Sequence, residues 1–241
     1  MTAALVAKKL QALAAPELAA FSAKFFKTGP GQYGEGDIFI GVKVPVLRKV
    51  ARNFLDLPLT EVETLLRSPV HEQRLVALLI LVLTAAKRND AQRKKIYDFY
   101  LRNVAFVNNW DLVDTSAPTL LGGYLMEKSR KPLYALAKSE SLWERRIAIV
   151  ATQHFIRQND FADTLKISKM LLSDKEDLIH KATGWMLREV GKRDLSALEA
   201  FLETHAADMP RTMLRYAIER LPAEKRLALM NAGRGASRPR R

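Results

Sequence analysis

The run Asn108–Asp114, NNWDLVD, sets an indole and a carboxylate four residues apart, so on a helix Trp110 and Asp114 share one face. Asn108 or Asn109 suits the N-cap, and Pro118 limits the helix soon afterwards. Two readings of the acids stay open. Asp111 and Asp114 can be helix-start acids favourably placed at a positive helix end. Alternatively, a carboxylate kept among cations suits chemistry in which positive charge develops on the substrate. Glycosidic bond cleavage is such chemistry, because the departing base leaves an oxocarbenium-like sugar that a carboxylate can stabilise or supply with water.

A second aromatic lies in Ile179–Lys192, IHKATGWMLREVGK. At 100° per residue, Ile179, Ala182, Thr183, Met186, Leu187 and Val190 form a broad apolar face. Lys181, Trp185, Arg188 and Lys192 line up opposite. Cations flanking an indole suit a polyanion carrying a sugar or base to pack against. Trp185 packed on a neighbouring helix, with solvated cations around it, is the alternative. Trp143, Arg145 and Arg146 make another cluster, in which Trp143 reads as core and Arg146 as the better functional candidate. Arg211 and Arg215, one turn apart, are either phosphate contacts or a solvated face pairing with Glu219. His71, His154, His180 and His205 are scattered, with no metal-binding spacing and no cysteine to join them. No Gly-x-Ser-x-Gly elbow supports a serine hydrolase.

The elements that would carry these residues are helical. Residues 2–26 read as helix interrupted near Pro16, followed by the glycine-rich loop Lys27–Asp37, KTGPGQYGEGD. That loop lacks the dinucleotide-binding spacing and the Gly-Lys-Ser/Thr ending of a P-loop, and a turn bringing Tyr33 close to something is equally plausible. Asp37–Val46 alternates like a strand, but with no second strand to pair it reads as an extended segment leading into a helix near Pro45. Helical patterns dominate thereafter, which predicts an all-α protein. Stacking the helix beginnings places Arg74, Trp110, Arg146, Lys181 and Arg215 in equivalent slots, at spacings of 36, 36, 35 and 34 residues. That period, with two helices per unit, predicts a right-handed, curved α-solenoid of HEAT-like repeats whose concave basic groove can follow a phosphate backbone.

Composition bounds the partners. The net charge is +13, and the tail Gly233–Arg241 supplies four arginines and no acid, leaving +9 on the rest. An anionic partner is expected: nucleic acid, acidic protein or membrane surface. The absence of cysteine excludes disulfides and thiolate chemistry and fits a reducing cytoplasm. Nothing reads as a secretory signal, and Leu75–Ala86, the most apolar run, suits a buried helix rather than a bilayer span. Residues 1–230 are expected to form a single domain, and 231–241 a basic, disordered tail.

NNWDLVD, WERR (Trp143–Arg146), KATGWMLREVGK (Lys181–Lys192) and MPRTMLRYAIERL (Met209–Leu221) together resemble the AlkD family of bacterial DNA alkylation repair glycosylases, built from HEAT-like repeats. The resemblance covers Lys24 to Leu221. It implies removal of cationic N3- and N7-alkylated purines from duplex DNA without rotation of the lesion out of the stack. Trp110 and Trp185 would pack against the lesion's deoxyribose, Asp114 would be the catalytic carboxylate, and Arg146 would hold the backbone. Arg145, Lys181, Arg188, Arg211 and Arg215 are further expected DNA contacts. An alkylated purine is already cationic, so a single carboxylate suffices where other glycosidases need two. The expectation is a monomeric, cytoplasmic, monofunctional glycosylase with no metal or organic cofactor, acting on double-stranded DNA and not at a membrane. A non-catalytic HEAT-repeat binder of bent or branched DNA and a protein-binding solenoid are the alternatives. The resemblance is weakest over the loop Lys27–Asp37, where Phe25, Phe26 and Tyr33 compete for the family's N-terminal aromatic contact.

Overall fold

The computed structural model describes residues 1–232. Most of the expected tail, Gly233–Arg241, lies outside the described residues. The chain divides into two compact units, Met1–Tyr124 and Leu125 onward. Every regular element among the described residues is helical.

In the first unit, α1 (Ala3–Gln11) and α2 (Pro16–Phe25) are separated just before Pro16, which takes an early helical position where its missing N–H costs nothing. The chain then loops to α3 (Val44–Arg52), α4 (Leu59–Leu66), α5 (His71–Ala85), α6 (Asp90–Arg102) and α7 (Trp110–Ala117). The apolar run centred on Leu75–Leu81 is the middle of α5, buried nearly all round because α3, α4 and α7 pack against it. Pro118 ends the α-helical ladder of α7, but the chain does not leave the helical path. Pro118–Gly122 wind as a π-helix into a final turn, α8 (Gly123–Leu125).

The segment after the glycine-rich loop is extended, as expected, yet it does find a partner. Ile38 bridges Val70 in parallel, with Ile38 N donating to Pro69 O (3.1 Å) and His71 N to Ile38 O (2.8 Å). The next residues are held by the buried carboxylate of Glu72, which accepts from the backbone N–H of Ile40 (3.1 Å), Gly41 (2.8 Å) and Val42 (3.3 Å). Gly41 sits at φ +80°, where a Cβ would collide with the Ala15 carbonyl. Asp37 is thereby pinned between a compact loop and the start of α5.

The second unit continues through α9 (Lys131–Leu136), α10 (Leu142–Ala151), α11 (Gln153–Arg157), α12 (Ala162–Met170), α13 (Asp177–Arg193), α14 (Leu195–His205), α15 (Arg211–Ala217) and α16 (Ala223–Ala232). The long α13 is its axis, packing on α10, α12, α14 and α15. Ile179, Ala182, Thr183, Met186, Leu187 and Val190 are all buried, the face expected from the helical period. Gly184 lets α15 approach, since a Cβ there would lie 2.6 Å from Tyr216 Cβ.

The expected repeat slots map onto this order. Arg74 and Trp110 lie at the starts of α5 and α7, while Arg146, Lys181 and Arg215 are each the fifth residue of α10, α13 and α15. Within the units, successive members of that set pack together: α5 on α7, α10 on α13, and α13 on α15.

Candidate functional site

In the first unit the site is built around the first turn of α7. Asn109, extended and fully buried, is the N-cap, and its Oδ1 accepts from Trp110 N at 2.8 Å. Its amide nitrogen donates to Asp37 Oδ2 at 3.1 Å. Asp111 accepts from Leu112 N with one oxygen (2.9 Å) and meets His71 Nε2 with the other (2.8 Å). The second ring nitrogen of His71 lies 3.0 Å from Asp37 Oδ2, and Arg74 donates to the remaining Asp37 oxygen. Three segments, the loop at Asp37, the start of α5 and the start of α7, therefore converge on a nearly dry cluster of two acids, one imidazole, one guanidinium and one amide.

Burial alone would pull the His71 pKa down, but hydrogen bonds to Asp111 and Asp37, with the charge of Asp111, outweigh it and raise the value to about 9. The ring is an imidazolium at neutral pH and donates from both nitrogens. For Asp37, burial works upward, but the His71 hydrogen bond and the Arg74 charge hold the carboxyl below its ordinary range.

Trp110 rests on an aromatic column beside this cluster. Its ring stacks on Phe26 (centroids 5.0 Å apart, interplanar angle 11°), and Phe26 stacks on Phe39 (4.9 Å, 22°). The His71 ring closes the column, 4.5 Å from Phe39 and 5.1 Å from Phe26. Phe25 meets Trp110 edge-on at 6.0 Å and stacks with Phe21 one turn earlier on α2. Phe21 and Phe25 are 67% and 55% exposed. Of the three candidate N-terminal aromatics, Phe25 and Phe26 thus reach Trp110, whereas Tyr33 lies under the Lys27 ammonium, 5.9 Å from its centroid.

Asp114, half-buried, follows Trp110 by one turn on the same face. Behind it Tyr100 is fully buried and hydrogen-bonds Ser116 (3.0 Å). Burial first, and then the nearby Asp114 charge, push the Tyr100 phenol far above its usual range, so it stays neutral.

In the second unit the basic stripe of α13 is interleaved with acids. Lys181 pairs with Asp177 (2.7 Å), and Lys192 with Glu189 (2.6 Å). The Trp185 indole N–H donates to Glu189 at 3.2 Å, and Arg188 pairs with Glu219 across to the turn after α15. Lys181, Arg215, Thr212 and Tyr216 line an open groove of about 480 Å³ between α13 and α15. Arg211 and Arg215 are exposed. Arg146 is instead buried and donates to Leu178 O (2.6 Å), while Arg145 holds Asp174 (2.6 Å) and the carbonyls of Ser139 and Glu140.

The sequence model of one family, described as DNA alkylation repair enzyme, matches residues 6–221. The chain belongs to that family. A solved structure described as a predicted DNA alkylation repair enzyme from Enterococcus faecalis shares the fold, with a TM-score of 0.67 at 18% identity, over 86% of this chain and 96% of that one. No curated protein sequence matches.

For a member of the DNA alkylation repair family, Trp110 and Asp114 stand together on one short helix, and Trp185 stands among ion pairs on α13. His71, Asp37, Arg74, Phe26 and Phe39 complete the first cluster; Phe26 was expected only as one of three competing aromatics and Arg74 only as a repeat slot, and the joining roles of His71, Asp37 and Phe39 escaped the sequence reading. His71 lies 34 residues from Asp37 and 40 from Asp111, so no local spacing marks it. One signal was available: His71 and Arg74, one turn apart in the polar first turn of a long apolar helix, need acidic partners when buried. Glu189 was also legible, four residues after Trp185. Trp143, read as core, is half-buried.

Proposed function

We propose that the chain is a monofunctional DNA glycosylase of base excision repair, hydrolysing the N-glycosidic bond of cationic N3- and N7-alkylated purines in duplex DNA without rotating the base out. The pairing of Trp110 with Asp114 on α7, in a chain belonging to the DNA alkylation repair family, carries this reading. An indole beside a carboxylate suits a lesion's sugar: the ring packs on the deoxyribose while the carboxylate faces the carbon that becomes positive.

The alkylated purine already bears a positive charge, so breaking its bond to C1′ releases a neutral base and leaves the cation on the sugar. Asp114 stabilises that cation and orients a water whose oxygen bonds to C1′, the water proton passing to the carboxylate and then to solvent. The reading needs no general acid and no Schiff-base lysine. Trp185, Lys181, Arg188, Arg211 and Arg215 of the second unit, with Arg145 and Arg146 ordering the ends of α10 and α13, are assigned to the duplex, the helix pairs being read as HEAT-like repeats. Work as a monomer in the cytoplasm belongs to the same reading.

Incubating excess protein with a duplex carrying 7-methylguanine and following the free base by chromatography tests it. Release in a single exponential, without strand nicking, is expected. Tight binding of the damaged duplex with no base freed would leave only a non-catalytic DNA binder.

A further inference from the structure

Helix α7 is short and weakly anchored by its own backbone. Eight residues are too few for a helix to be stable alone. At its C-terminal side the ladder loses one hydrogen bond, because Pro118 has no N–H to return to the Asp114 carbonyl, before the chain winds on as the π-helix. Leu112, Val113, Ser116 and Ala117 bury one face of the helix, which packs on α5, and its first turn is tied at two further points to other segments: Asn109 to Asp37, and Asp111 to His71. His71 is the common strut. It spans Asp37 and Asp111 with its two nitrogens, and its ring face supports Phe39 and Phe26, on which Trp110 lies. The two nitrogens point to different carboxylates, so the group is not a metal cage; among the described residues no three acidic or histidine side chains are placed to hold an ion. Both Asp111 oxygens are engaged as well, one by His71 and one by Leu112 N, which ties this acid into the cluster.

We propose that His71 is a positioning residue: bridging Asp37 and Asp111, it clamps the first turn of α7 and seats Trp110 flat on Phe26, so that Trp110 and Asp114 present one fixed face to a deoxyribose. The proposal rests on the excision reading for what that face does, but the clamp itself is measurable without it. Its function is geometric. A displaced indole or carboxylate of about 1 Å can cost on the order of a hundredfold in rate.

The test uses His71→Phe, which keeps a ring in the column and removes both hydrogen bonds, together with Asp111→Ala and Asp111→Asn. In the last, the amide that replaces the carboxylate can still accept from Leu112 N and donate to a neutral imidazole. Single-turnover release of 7-methylguanine at saturating protein gives a rate constant that reports the geometry, and the far-ultraviolet circular dichroism of each variant reports its folded fraction. His71→Phe and Asp111→Ala are expected to lower the rate constant about tenfold or more, and Asp111→Asn to stay within about threefold of wild type. Acrylamide quenching of Trp110, made the sole indole by Trp143→Phe and Trp185→Phe, is expected to rise in the first two variants and not in the third.

Unchanged quenching in both clamp-breaking variants overturns the proposal, whatever happens to the rate. Equal loss of rate in Asp111→Asn and Asp111→Ala also overturns it, because Asp111 would then act through its charge. A lower folded fraction by circular dichroism with a wild-type rate constant would mark His71 as merely structural and overturn it too. Should His71→Phe not fold, Asp111→Ala carries the same comparison. Should wild-type protein free no base, the excision reading fails and quenching alone decides the clamp.

Discussion

His71 couples its own charge to the stability of the first unit. Its folded pKa is raised from 6.5 to about 9 by Asp111 and Asp37 against the opposing effects of burial and Arg74. The stabilisation is therefore fully present below about pH 6.5 and is lost as pH rises through about 9. Calorimetric scans across that interval are expected to show the wild-type midpoint falling more steeply than that of His71→Phe; parallel declines would contradict the assignment. Asp37 works in the opposite sense, because its lowered pKa contributes stability above its ordinary value of 3.8 that acid removes. At this scale Trp110 and Asp114 were legible, since four-residue spacing on one helix is a local property. The clamp was not, because its members come from the loop, α5 and α7, and only folding brings them together. The basic stripe was half legible: its cations were visible, but Glu219, which neutralises Arg188, belongs to the turn after α15.

Among the elements, α5 and α13 were readable from periodicity, the first by its continuous apolar run and the second by its single buried face. The extended segment after the glycine-rich loop was readable only in part. Its backbone donors turn to Glu72, a residue the helical pattern had no reason to single out. Glu72→Ala leaves three backbone N–H groups without their acceptor and is expected to cost about 2 kcal/mol or more in a urea titration. A loss within experimental error would show that the segment finds other acceptors. Gly184 makes a similar point for α13. Its missing Cβ admits the backbone of Met213 and the side chain of Tyr216, so Gly184→Ala should separate α13 from α15 at a cost of about 1–3 kcal/mol. A thermal midpoint equal to wild type would contradict that contact.

For the whole molecule, the charge of +13 fits a polyanionic partner, although many individual cations already have acids beside them. The reading expects duplex affinity to fall steeply between about 50 and about 200 mM salt, as counterion release requires. Affinity indifferent to salt in a filter-binding titration would favour an apolar protein partner instead. The family was legible from four short motifs and is shown by the match over residues 6–221. What the motifs could not convey is how firmly the reactive helix is held. In the proposed excision, one carboxylate, Asp114, stabilises the sugar cation and orients the attacking water. Single-turnover release of 7-methylguanine by wild type and Asp114→Asn, with duplex affinity measured alongside, tests it most directly. Unchanged affinity and a rate constant lower by about a hundredfold or more are expected of the variant. Release by Asp114→Asn at the wild-type rate would contradict that role.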